Sequence, residues 1–119
     1  MGSNIIQEKS FHFALNIVRL SRDLVKNKKE YILSKQILRS ATSIGANVEE
    51  AIGAQSRKDF ISKFAIAHKE ARETDYWLRL LKGSELISKT QFDSLSDDCN
   101  AILRITAKIQ KTAKSSPGI

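Results

Sequence analysis

The chain has 119 residues, a mass of 13.4 kDa and a formal charge of +7, from 20 Lys and Arg against 13 Asp and Glu. A globule of that mass exposes roughly 6,500 Å² of the roughly 19,400 Å² its extended chain would show, which leaves room for one self-sufficient core and none for a second domain. At 41% apolar and 28% charged residues the composition is that of a folded domain, the lone Cys excludes a disulfide framework or a multi-Cys metal site, and no apolar run approaches the ~20 residues of a membrane span.

At the N-terminus, Asn4, Gln7, Glu8 and Lys9 interrupt any signal-peptide stretch, and Ile6 stands where a myristoylation signal needs Ser or Thr. The expectation is a cytoplasmic protein with no membrane partner. The first periodic window carries Phe13, Ile17, Leu20 and Leu24, with Phe11, Ala14, Val18 and Val25 as a second stripe beside it. Three-and-four spacing of this kind is helical. Lys26-Asn27-Lys28-Lys29 closes it, placing cations at the negative end of the helix dipole. The second window repeats at Ile37, Ala41, Ile44, Val48 and Ala51 and contains the small-residue run Ser40 to Asn47 around Gly45, which suits close approach of a neighbouring helix; Ala65, Ala67 and Ala71 are the expected facing surface. Gly53 suits its end. The third window runs through Phe60, Phe64, Ala67, Ala71, Thr74, Leu78 and Leu81, with Ser56 and Asp59 spaced to cap its start and Gly83 suited to the C′ position. The fourth carries Phe92, Leu95, Cys99, Ile102, Thr106 and Ile109 behind a Ser88–Gln91 capping box.

The only proline is Pro117, so nothing breaks these windows internally. The expectation is an all-α single domain over residues 1–119, with helices at about 6–27, 30–53, 57–82 and 89–114 and a frayed tail at 115–119. Each helix would span roughly 33–39 Å. Short connections force antiparallel neighbours, hence an up-down-up-down four-helix bundle. The second stripe on the first helix, and Ile66, Trp77 and Leu80 beside the seam of the third, give wider apolar faces than one small bundle needs, which points to self-association.

Chemistry-bearing patterns are scarce. His12 and His68 lack the Glu three residues earlier that a di-iron bundle uses, no His-Glu-x-x-His occurs, and the five glycines form no phosphate loop. Cys99 falls on a core seam. The aromatics Phe11, Phe13, Phe60, Phe64 and Phe92 follow core periods and do not form a base-stacking platform. Neither catalysis nor a cofactor is expected. Arg39, Ser43, Asn47 and Glu50 on the second helix and Glu70 and Glu73 on the third fall beside the seams, and a carboxylate near a core needs a partner. A structural polar network is therefore expected there, with Arg39 and Lys35 as cations for Glu70 and Glu73. The competing reading is a carboxylate metal or acid–base site at Glu50, Glu70 and Glu73.

The charge is uneven. Residues 1–29 carry six basic and two acidic groups, residues 59–99 six and eight, and residues 100–119 four and none. Arg19, Arg22, Lys26, Lys28 and Lys29 crowd the end of the first helix, and Arg104, Lys108, Lys111 and Lys114 gather on the fourth. Such surfaces attract phosphate backbones without reading sequence, so these nine residues are the candidate contacts for RNA or DNA.

The stretch Gln36-x-x-Arg39, Ser43-Ile44-x-x-Asn47-Val48-x-Glu50-Ala51, then Phe60-x-x-x-Phe64 resembles the pattern of the bacterial 23S rRNA-intervening-sequence proteins, with Val48 for the usual Ile and Ala51 where the family often has Gly. Lys69-Glu70-Ala71-x-Glu73-Thr74-x-Tyr76-Trp77-Leu78 resembles a common variant of that family, and the similarity covers about residues 10–112. The resemblance implies an up-down bundle assembled as a ring, a homopentamer, with no catalytic residues to carry over. The family in turn resembles the accessory proteins of diversity-generating retroelements, basic pentameric barrels that bind nucleic acid and a reverse transcriptase. The functional expectation is a non-catalytic homo-oligomer that binds nucleic acid through basic surfaces; the alternative is an interaction scaffold or accessory subunit for a protein such as a reverse transcriptase.

Overall fold

The computed structural model describes residues 2–115 and contains four helices: α1 (Gly2–Lys28), α2 (Leu33–Ile52), α3 (Arg57–Gly83) and α4 (Lys89–Ser115). Each packs against the next and α1 also against α4, giving an antiparallel up-down-up-down bundle. The bundle is a rod of 52 × 21 × 19 Å. Its surface of 7247 Å² exceeds the globular expectation, as an elongated shape requires.

The seams follow the periods in the sequence. Ile6, Phe13, Ile17, Leu20 and Leu24 of α1 are buried against Ile37, Ala41, Ile44 and Val48 of α2, Phe64, Ala67, Ala71, Leu78 and Leu81 of α3, and Leu95, Cys99 and Ile102 of α4. Phe60 and Phe64 meet edge to face at 4.9 Å. The second stripe of α1 is not covered: Ala14 and Val18 are half-buried, while Phe11 is 60% and Val25 37% exposed. Buried hydroxyls are paired locally. Ser40 and Thr74 share a 2.8 Å bond across the α2–α3 seam, and Thr74 also donates to the Glu70 carbonyl. Among the described residues no buried side-chain polar atom lacks a partner, as a bundle this thin requires.

The helix ends are local chemistry. Ser56 adopts extended backbone and its hydroxyl accepts from the Asp59 N–H at 3.0 Å. Ser88 and Gln91 form the reciprocal box at 3.1 and 2.9 Å. Three ends differ from expectation. Ile6 is fully buried, so the core period of α1 begins a turn early and its helix begins at Gly2 rather than near residue 6. α2 starts at Leu33 rather than 30, because Lys29 turns the chain with φ 56° and Glu30 stays outside the helix. The Glu30 carboxylate accepts from the N–H groups of Ile32 and Ser34, at 3.2 and 2.8 Å, and so caps the helix from outside it.

Gly83 is not the left-handed C′ residue of α3. That residue is Glu85, at φ 63°, where the Leu86 N–H reaches the Leu81 carbonyl and the Glu85 N–H the Lys82 carbonyl. This is a Schellman closure made without glycine. At the other end of the chain, Ser115 is the last residue of α4, and the remainder of the expected frayed tail lies outside the described residues.

Candidate nucleic-acid interface

Antiparallel packing puts the C-terminus of α1 and the N-terminus of α4 at one pole and the C-terminus of α4 at the other. Arg19, Arg22 and Lys26 recur on the solvent side of α1, opposite the Phe13–Ile17–Leu24 seam, and Lys28 and Lys29 follow at the turn; all five are exposed. Arg104, Lys108, Lys111 and Lys114 are likewise exposed on α4, opposite the Cys99–Ile102–Thr106 seam. None of the nine makes an ion pair among the described residues; Arg19 donates only to Asn16, at 3.2 Å. The C-terminal ends of α1 and α4 lie at opposite ends of the 52 Å rod, so Lys26, Lys28 and Lys29 are separated from Lys111 and Lys114, with Arg19 and Arg104 nearer the middle.

Five of the remaining cations are engaged. Arg39 bridges Glu70, at 3.2 Å, and Glu73. Lys63 pairs with Glu50 at 3.0 Å across the same seam, Arg79 with Asp75 at 3.1 Å and Lys89 with Asp93 at 2.6 Å. Lys82 sits over the Phe92 ring at 5.2 Å.

The six residues expected to form one polar network fall into three groups. Arg39, Glu70 and Glu73 come together, joined by the Trp77 indole N–H, which donates to Glu73 at 3.0 Å. Lys35 is exposed and makes no ion pair among the described residues, so Arg39 alone serves both carboxylates. Asn47 bonds back along its own helix to the Ser43 carbonyl and hydroxyl, at 2.9 and 3.2 Å. Glu50 turns to Lys63. Partial burial pushes the Glu73 carboxyl up, but the Trp77 N–H and the Arg39 guanidinium outweigh it and hold the group below the ordinary carboxylate value. Glu50 is thus separate from Glu70 and Glu73, and no group of three or more potential metal-ligating side chains occurs among the described residues.

The small-residue run also differs from its expected role. Gly45 faces α1, not the alanines of α3: a Cβ there would stand 3.7 Å from the Ser10 carbonyl oxygen, an ordinary contact. Ser40 is the small residue that meets α3, at Thr74. Cys99 donates to the Ala71 carbonyl at 3.3 Å, and burial, with Asp75 and Asp98 adding, pushes its thiol up to about 12. Such a thiol is not a nucleophile at neutral pH. Thr106 gives its hydroxyl proton to the Ile102 carbonyl, so it accepts from His68 Nδ1–H at 2.9 Å. Burial, with the nearby Arg72 adding, lowers the His68 value.

The sequence reading missed one surface. Lys69, Arg72, Tyr76 and Arg79 are all exposed along the outward side of α3, and the Arg79 guanidinium lies 5.7 Å from the centre of the Tyr76 ring. Their three-four-three spacing opposite the Ala67–Ala71–Thr74–Leu78 seam is the signal the sequence holds for it.

Fold and surface together define a basic, antiparallel four-helix-bundle protein. A model of the 23S rRNA-intervening sequence proteins matches residues 3–108, and the chain belongs to that family. A solved structure from Bacteroides thetaiotaomicron VPI-5482, described as a protein of unknown function from the S23 ribosomal protein family, superposes with a TM-score of 0.92 at 51% identity, covering 94% of this chain and 100% of that one. No curated protein matches. No helix among the described residues is long and apolar enough to cross a membrane.

Proposed function

We propose that the protein is a non-catalytic, cytoplasmic homo-oligomer, a pentameric ring, that binds RNA or DNA through its basic surfaces. The observation that carries the reading is the division of the cations. Arg19, Arg22, Lys26, Lys28, Lys29, Arg104, Lys108, Lys111 and Lys114 are exposed and free of described ion pairs, whereas Arg39, Lys63, Arg79 and Lys89 are paired. Exposed cations without internal partners can release condensed counterions from a phosphate backbone, which drives binding of this kind.

Self-association is supported by apolar side chains that one chain leaves uncovered, among them Phe11, Val25, Ile66 and Leu80. A ring would repeat each separate basic patch and so raise the local density of positive charge. The same uncovered side chains support a second reading, a scaffold or accessory subunit for a protein partner such as a reverse transcriptase.

The test is a titration of labelled RNA and DNA across salt, with mass measured by light scattering on the same sample. The expected result is a particle of about five times 13.4 kDa whose affinity falls linearly in log–log form with salt, by roughly 0.7–0.9 per neutralised phosphate. No binding at low salt refutes the nucleic-acid reading, and a single-chain mass refutes the ring. Nuclease-resistant capture of one defined protein by a chain that binds no nucleic acid favours the scaffold.

A further inference from the structure

We infer that the outward ridge of α3 holds single-stranded nucleic acid, with Tyr76 as the post on which a base stacks. The inference rests on the nucleic-acid reading above and names the ligand class one surface is built for. Tyr76 is 46% exposed, far more than a core aromatic in this bundle. The Arg79 guanidinium, its charge met by Asp75, lies over one side of the ring and adds a second planar surface beside the phenol. Arg72 and Lys69 lie one and two turns earlier on the same side and make no ion pair among the described residues.

The acids nearby are turned away or neutralised. Glu70 and Glu73 face Arg39 on α2, and Asp75 pairs with Arg79. Along the bundle axis the ridge is also level with a candidate residue already described. His68–Thr106 and Ala71–Cys99 fix the register of α3 against α4, which sets Arg104 within about two turns of Arg72 along the axis. Cations that follow a backbone, with an aromatic face among them, fit unpaired bases; in a duplex the base faces are already stacked on one another.

Trp77 is the only tryptophan, and its ring lies 5.1 Å from that of Tyr76. Its emission therefore reports occupancy of the post. The experiment titrates the full chain with oligothymidine and oligouridine of about twelve nucleotides, inside the 4–16 range typical of single-strand sites, and with a duplex of equal length. Single strands are expected to change Trp77 emission and the duplex to leave it unchanged.

Tyr76→Ala should weaken single-strand binding roughly five- to 150-fold, with the salt slope and duplex affinity unchanged. Tyr76→Phe should bind as the parent does. Arg72→Glu should lower the salt slope. Equal affinity of Tyr76→Ala and the parent for single strands overturns the stacking post while leaving the nucleic-acid reading intact. So does an equal loss on duplex, or a fall in particle mass, which would make Tyr76 part of an interface between copies. A parent chain that binds no nucleic acid overturns both.

Discussion

The α2–α3 seam and the α1–α4 side of the bundle handle charge in opposite ways. Across α2 and α3, Arg39 is held by Glu70 and Glu73, and Lys63 by Glu50, so acid and base cancel where they meet. Along the C-terminal halves of α1 and α4, cations point to solvent with no described counter-ion, and these two helices share the thinnest seam of the four. The surplus behind the net +7 lies on α1, α3 and α4, while α2 is balanced, and on α3 it sits away from the α2 seam. Internal pairing fixes how α2 and α3 register, and the unpaired cations are available to an outside polyanion.

That contrast predicts where substitutions act. The largest effect belongs to the shared core: Phe64→Ala, at a fully buried ring packed on Phe60, should cost about 3–5 kcal/mol in urea unfolding. A loss below 1 kcal/mol would mean that α3 is not seated as described. Arg39→Ala comes next. It leaves Glu70 buried without its cation, and because Arg39 itself stays half exposed, the expected loss is about 1–2 kcal/mol. Arg22→Ala, by contrast, should move stability by less than about 0.5 kcal/mol. Equal losses at the two arginines would erase the distinction between the halves.

Acid should separate two groups by pH. His68 has a lowered folded value, so its contribution is complete above its ordinary 6.5 and is lost as pH falls toward the folded value. Glu73 is also lowered, so its contribution is complete above the ordinary carboxylate value of 4.5 and is lost only as pH falls further. His68→Gln should flatten the first decline in the thermal midpoint and leave the second; a parent profile without the first step would contradict the His68 assignment. The smallest effect is a gain. Gly45→Ala meets only an ordinary contact at Ser10 and should stabilise the chain by about 0.5–1 kcal/mol through helix propensity. A loss would show that α1 sits closer to α2.

Much of the fold is legible because it is local or periodic. The four seams follow from apolar spacing alone, and Ser56–Asp59 and Ser88–Gln91 cap their helices within one turn. What was not legible depends on chain reversal. Glu30 can cap α2 only because Lys29 turns left-handed, and the pattern favours Gly83 at a position that Glu85 takes. Partner choice was half legible: antiparallel packing offers both Lys35 and Arg39 to the α3 carboxylates, but only the structure shows Arg39 taking both. The basic clusters could be read as residues, and the up-down order implied by the short connections already sends their helix ends to opposite poles. The Tyr76 ridge escaped because charged residues at helical spacing read as an ordinary solvated face.

The most direct measurement compares the salt dependence of RNA binding for three folded chains: the parent, a variant carrying Arg19→Glu, Arg22→Glu, Lys108→Glu and Lys111→Glu, and Arg39→Ala, with thermal melts confirming each fold. The account predicts that the four-site variant loses most of its affinity and salt slope while melting close to the parent. Arg39→Ala should melt lower and bind with the parent's slope. A four-site variant that binds as the parent does, or an Arg39→Ala chain that loses the slope, would contradict the division of labour between the two halves.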